Sequence, residues 1–242
     1  MAHNVQQFSM LVKKIVTHTP TVKSFYLYFP EGQTMPFVAG QFVMSIVPRD
    51  GKPVKKPYSI ASSPYELAEG YIELGIKKVE GGFMSTHFHN LKEGDHLEID
   101  GPYGKFAMKH KDTPDEIIFV ATGTGITPLR SIFKQMLKIE GVKKPIYMIL
   151  GCRYENELLY EQEMRELERT YANFIFIPTV SRPTPAWKGE TKYVQNLLVS
   201  KFPDPSNKQI YACGLVDMIQ GLKKTCLEFG FTKEQLHYEI WT

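Results

Sequence analysis

Cysteine is scarce in this chain of 242 residues, with only Cys152, Cys213 and Cys226, far apart. Three scattered thiols cannot build a disulfide framework, a CxxC metal site or the four-thiolate cradle of an iron–sulfur cluster. Long apolar runs are also missing. No segment approaches the roughly 18 apolar residues that a membrane span requires, and the start, MAHNVQQFSM, lacks the apolar core of a signal peptide. A soluble, cytoplasmic protein is therefore expected. Neither sign of charge dominates: 29 Lys plus Arg stand against 26 Asp plus Glu, a net +3. That balance argues against nucleic acid as a partner. Internal repeats and low-complexity tracts are absent too, which removes solenoids and disordered tails from consideration.

What is present divides into two halves with different hydrophobic periods. From Phe8 to about Asp100 the chain reads as short β-rich runs, FSMLVKKIVTH, VKSFYLYF, QFVMSIV, PYSIAS, YIELGIKKV and HLEI. Turn clusters such as PEG, PRDGKP and KEGD separate them, a spacing that predicts an antiparallel barrel. One short helix is expected from Met84 to Leu91. After Pro114 the pattern becomes strand, helix, strand, helix. EIIFVAT, PIYMILG, NFIFIPTV and QIYACG read as buried strands. Leu129, Ile132, Phe133, Met136 and Leu137 fall at helical spacing, as do Tyr160, Met164 and Leu167, and then Leu215, Met218, Ile219 and Leu222. Such alternation predicts a parallel sheet covered by helices. The boundary is expected in the polar stretch MKHKDTPDE, which gives domains at 1–111 and 112–242.

The segment VATGTGITPLR joins a strand to a helix through Gly123, Thr124 and Gly125. Glycines there let the backbone approach a pyrophosphate, and the free amides of a helix N-terminus attract its charge. Gly-x-Gly turns also serve simply to connect strands to helices, so the loop alone leaves both readings open.

The order of further motifs narrows the choice. KPYSIAS, GGFMST, GPYGKF, GTGITP, VSR, YACG and the terminal EIW follow one another along the chain. In this order they resemble the ferredoxin–NADP reductase family from end to end. The resemblance implies a six-stranded antiparallel Greek-key barrel that binds FAD, followed by a five-stranded parallel Rossmann-like domain that binds a nicotinamide nucleotide. It also implies hydride transfer between NADPH and FAD, with electrons passed to a redox protein such as ferredoxin or flavodoxin. An NADH-dependent reductase component of an oxygenase or other electron chain is the alternative. A flavin-free binding subunit that keeps the fold is a second one.

The resemblance also implies the site. Lys56, Pro57, Tyr58 and Ser59 match the R-x-Y-S motif along the flavin, with Ser59 near the hydride-accepting atom. Lys56 keeps the charge of the family's Arg and gives up its bidentate fork. Gly75, Ile76 and Lys77 match the ribityl and adenosine side, and Gly82, Met84, Ser85 and Thr86 the pyrophosphate contact. Gly123, Gly125 and Thr127 belong to the nucleotide loop, in which Thr124 matches a residue shared by flavin and nicotinamide. Cys213, with Gly214, is expected beside the nicotinamide ring, and Glu239 and Trp241 over the flavin. Ser59, Cys213, Glu239 and Trp241 thereby form the expected catalytic set. Ser181 and Arg182, with Tyr193 eleven residues beyond, match a clamp for the 2′-phosphate of NADPH and a stacking ring for adenine. Thr191 stands where NADPH-dependent relatives have Lys. No metal is expected, since His87 and His89, two apart on a helix, point in different directions.

Overall fold

Residues 5–107 and 114–241 are described by the computed structural model. Contacts divide the chain into two units. One is Met1–Met108 with Arg130–Ile139; the other is Lys109–Leu129 with Glu140–Thr242. The expected boundary at 111/112 lies outside the described residues.

The first unit is built on alternation. Strands β1 (Gln6–Thr19), β2 (Val22–Tyr28), β3 (Phe42–Arg49), β4 (Lys52–Ser59), β5 (Tyr71–Lys77) and β6 (His96–Tyr103) form an antiparallel sheet in the order β4-β3-β6-β1-β2-β5. An antiparallel bridge between Ile60 and Leu74 joins its two ends into a barrel. Every second residue points inward: Phe8, Met10 and Val12 on β1, Phe25 and Leu27 on β2, Val43 and Val47 on β3, Ile72, Leu74 and Ile76 on β5. Each large apolar side chain so buried contributes about 1.5–3 kcal/mol. Helix α1 (Phe83–Asn90) adds Met84 and Phe88 to this core.

Strand β4 begins five residues before the expected run. Asp50 and Gly51 both have positive φ, 52° and 73°, the geometry of a two-residue hairpin. That turn pairs Arg49 with Lys52 and carries the ladder through the polar, proline-containing stretch Lys52–Pro57. Turn geometry, not an apolar pattern, specifies this strand.

The second unit alternates strands and helices: β7 (Glu116–Thr122), α2 (Ile126–Lys138), β8 (Ile146–Cys152), α3 (Glu161–Thr170), β9 (Phe174–Val180), α4 (Val194–Lys201), β10 (Lys208–Leu215), α5 (Val216–Phe229) and β11 (Leu236–Trp241). The sheet is parallel, ordered β11-β10-β7-β8-β9. Its order reverses between β7 and β10, so ligands are favoured at the carboxyl ends of those two strands. Helix α4 and strand β11 are not distinguished by the apolar spacing of the sequence. Tyr160 and Leu215, read as helical, instead cap α3 and α5 from outside.

Helix α2 is divided between the units. Its residues from Arg130 onward pack in the first, where Arg130 and Lys134 are buried despite their charge. Arg130 donates to the Ala61 carbonyl (2.7 Å) and to Glu73 Oε2 (2.9 Å). Lys134 donates to Glu66 Oε1 (2.8 Å), and the Ser131 hydroxyl donates to the Ser62 carbonyl (2.7 Å). Burial of a charge is tolerable only when it is paired in this way.

Candidate functional site

On the barrel, Lys56 and Pro57 are exposed on β4, Tyr58 is half-buried and Ser59 is buried. The Tyr58 ring meets Phe88 edge-on at 5.0 Å, and burial pushes its hydroxyl up to about 12. It therefore remains a neutral phenol. Gly75 and Ile76 are buried on β5, while Lys77 is exposed at the strand end. The Ile76 carbonyl lies 3.2 Å from His89 Nε2, so this imidazole is engaged by backbone. Among the described residues, no group of three or more His, Cys, Asp or Glu is placed to hold a metal ion.

Gly82 caps α1 from outside, and a Cβ there would meet Ser85 Oγ at 2.6 Å. Ser85 folds back on the preceding turn, accepting from Val79 N–H (3.1 Å) and donating to the Gly82 carbonyl (3.2 Å). The Thr86 N–H makes the first helical bond, to Gly82 (3.0 Å). Met84 lies in the core. The remaining first-turn amides of such a helix have no intrahelical partners and favour phosphate oxygens.

In the second unit, the turn after β7 uses its two glycines differently. Gly123 has φ +53° and nothing within 4 Å of a Cβ position, so its surface is open. A Cβ on Gly125 would strike the Cys213 carbonyl; only glycine lets the turn lie directly on β10. Thr124 is half-buried, and its carbonyl accepts from the Thr127 hydroxyl at 2.9 Å, which closes the turn into α2.

Cys213 is buried on β10, with Ala121 of β7 opposite on one side and Glu239 of β11 on the other. Burial first, and then the charge of Glu239, push its thiol well up, so it stays protonated. Gly214 follows, with a Cβ position 2.9 Å from Thr122 Oγ1. Glu239 carries a buried Oε2 without a hydrogen-bond partner. Burial raises its carboxyl, and a hydrogen bond from the Trp241 side chain works in the opposite direction. Trp241 itself is half-buried opposite Leu215. The nucleotide turn, Cys213, Glu239 and Trp241 thus gather at the carboxyl ends of three neighbouring strands. A protonated thiol, a half-buried carboxyl whose proton is held more tightly than usual, and an indole line this edge of the sheet.

Ser181, Arg182 and Tyr193 form a second group beyond β9. The Ser181 N–H and hydroxyl both point to the Cys152 carbonyl, at 3.0 and 3.3 Å. The exposed Arg182 guanidinium lies in the electrostatic reach of Tyr154 and of Tyr193, which is 65% exposed. Thr191 and Lys192 are exposed, and Lys192 Nζ reaches Ser200 Oγ at 3.2 Å. Tyr154, Glu155 and Trp187 were not singled out by sequence reasoning. With Asn156, Thr184 and Ala186 they line a cavity of about 590 Å³. RYENE reads as an ordinary polar loop, and only the parallel pairing of β8 with β9 brings it beside Arg182.

Residues 7–108 match the oxidoreductase FAD-binding domain, and residues 119–224 the oxidoreductase NAD-binding domain. Over 229 residues the chain is 32% identical to ferredoxin–NADP reductase B of Sorangium cellulosum, covering 91% of this chain and 92% of that protein. The chain belongs to the ferredoxin–NADP reductase family. Members of this family pass electrons from a nicotinamide nucleotide through FAD to a partner. This reductase is also 32% identical over 244 residues to the phenol hydroxylase P5 protein of Acinetobacter pittii, covering 99% of this chain and 67% of that one. Its fold matches a ferredoxin–NADP reductase from Neisseria gonorrhoeae, solved with FAD and NADP, at a TM-score of 0.84 over 98% of both chains and 21% identity. Among the described residues, no helix of the reductase is long and apolar enough to cross a membrane.

Proposed function

We propose that this reductase takes hydride from NADPH and delivers electrons to a ferredoxin- or flavodoxin-type protein. The observation that carries the coenzyme choice is the Arg182 guanidinium, exposed between Tyr154 and Tyr193 with the Ser181 hydroxyl nearby. No acid occupies the Ser181, Arg182 or Tyr193 positions. The guanidinium fork suits a phosphate, and the Tyr193 ring suits adenine.

FAD, when bound, supplies a ring that accepts hydride and releases electrons singly or in pairs. The protein's own groups bind and orient. Tyr58 offers a neutral phenol and apolar ring to the flavin, and Ser59 a hydroxyl near its hydride-accepting edge. Gly82 through Thr86 receive pyrophosphate, with Lys56 adding positive charge, and Gly75 to Lys77 border the ribityl chain. Gly123, Thr124 and Gly125 accept the nucleotide phosphates, closed by Thr127. Cys213, an uncharged thiol beside Gly214, would position the nicotinamide, with Glu239 offering its carboxyl and Trp241 its indole to the flavin ring. Proximity and orientation provide most of the rate.

Arg182→Ala tests the coenzyme choice. It is expected to weaken NADPH by about 1.5–3 kcal/mol, the range for hydrogen bonds to charged groups, and to leave NADH nearly unchanged. Steady-state kinetics with both coenzymes provide the check; equal losses would overturn the reading. The second reading, an NADH-dependent oxygenase component, draws support from the match to the phenol hydroxylase P5 protein over 99% of this chain. Rates with ferredoxin, flavodoxin and oxygenase-type acceptors separate the two.

A further inference from the structure

The loop that carries Ser181 and Arg182 is assembled against the segment that follows β8. Cys152 lies opposite Val180 at the end of the parallel β8–β9 ladder, so the two chains leave the sheet side by side. Their pairing continues past the strands. The Ser181 N–H donates to the Cys152 carbonyl at 3.0 Å, and the Arg182 N–H to the Arg153 carbonyl at 2.8 Å.

Two carboxylates then hold the pair of loops. Glu157 Oε2 accepts from the N–H groups of Arg153 and Tyr154 (3.1 and 3.2 Å), which braces the 153–157 turn from within. Glu155 Oε1 reaches across and accepts both the N–H and the hydroxyl of Thr184, each at 2.7 Å. These bonds hold the Glu155 carboxyl below its ordinary range, so it stays ionised and engaged. Between the anchors stands Tyr154, lining the same cavity as Glu155 and Thr184, with the Arg182 guanidinium beside its hydroxyl. The backbone that carries this exposed arginine is thereby fixed before any ligand arrives, and ordering before binding strengthens binding.

We propose that Glu155 and Tyr154 are positioning residues for coenzyme selection: Glu155 locks the Arg182 loop through Thr184, and Tyr154 holds the guanidinium ready for a ribose 2′-phosphate. The inference rests on the reading of Arg182 as the phosphate clamp. Glu155 acts through backbone and does not touch the nucleotide. An acid in the same cavity could instead accept ribose hydroxyls directly and favour NADH, and the experiment distinguishes the two.

KM and kcat are measured for NADPH and NADH on the flavin-loaded full chain carrying Glu155→Ala, Glu155→Gln, Tyr154→Phe, Thr184→Val or Arg182→Ala. Glu155→Ala is expected to raise the NADPH KM by about tenfold at constant kcat, the effect of losing one charged hydrogen bond, with NADH changed less than about twofold. Glu155→Gln, whose amide oxygen still accepts from Thr184, should restore most of the NADPH affinity. Tyr154→Phe and Thr184→Val should each raise the NADPH KM by about threefold, and they keep the test open if Glu155→Ala fails to fold. A selective Arg182→Ala with unchanged NADPH KM in the other variants overturns the inference and leaves the clamp standing. A non-selective Arg182→Ala overturns the clamp itself. If Glu155→Gln strengthens NADPH and weakens NADH, Glu155 is a ribose ligand and the positioning role is wrong; equal changes with both coenzymes show a merely structural brace.

Discussion

Glu239 has chemistry that its position in the sequence does not reveal. Two residues apart on one strand, it and Trp241 share a face, which the EIW motif makes legible. What the motif hides is that one carboxylate oxygen is buried without a partner. Burial lifts the folded-state pKa above the ordinary 4.5, so the native protein binds this proton more tightly than the unfolded chain does. The corresponding stability is present below the unfolded value and is lost as pH rises through the raised one. Glu239→Gln, which cannot ionise, is therefore expected to increase the urea midpoint at neutral pH and to leave it nearly unchanged below about pH 4. Equal midpoints at neutral pH would show that the carboxyl titrates normally.

At the scale of elements, the strand β7 and the apolar face of α2 follow from periodicity alone, and α1 is displaced by one residue. The turn between β7 and α2 shows the limit of motif reading, because GTG treats its two glycines alike. Gly123 needs only a left-handed backbone, for which a Cβ costs about 1–2 kcal/mol. Gly125 lies against backbone atoms of Cys213 and Gly214, which cannot yield as a side chain can. Gly125→Ala is expected to lower Tm and nucleotide affinity more than Gly123→Ala does, since overpacking costs about 1–3 kcal/mol and here also displaces β10. Thermal melts and nucleotide titrations of the two variants, side by side, would reveal an inverted order if the approach to β10 were unimportant.

At the scale of the whole molecule, the charged pairs along α2 are among its most buried ion pairs. Arg130 and Glu73 have side chains 5% and 0% exposed, and Lys134 and Glu66 are nearly as buried. Removing one member strands a buried charge, so Arg130→Ala is expected to cost about 3–5 kcal/mol. Replacing both Arg130 and Glu73 with Met should cost less than the sum of the single changes, because no charge is then left alone. Denaturant unfolding of the two singles and the double provides the cycle; additive losses would show that the pair is uncoupled.

The amino-acid sequence by itself determined the two periods, two for the barrel and 3.6 alternating with buried strands beyond Pro114. It also determined the register of the motifs that mark the family. Periodicity records which side of a local element meets apolar neighbours, and glycine and proline record where the backbone must turn, so both are legible along the chain. Tertiary structure alone decided the extent of β4, the edge strand β11, the burial of Arg130 and Lys134, and the joining of the 153–157 turn to the Arg182 loop. The extent of β4 depends on a hairpin ladder that its polar residues do not advertise, and the others on a partner far away in sequence: a neighbouring parallel strand, or a carboxylate that makes burial of a cation tolerable. Polar residues in such places look like solvated loop or helix surface until the long-range pairing that satisfies them is formed.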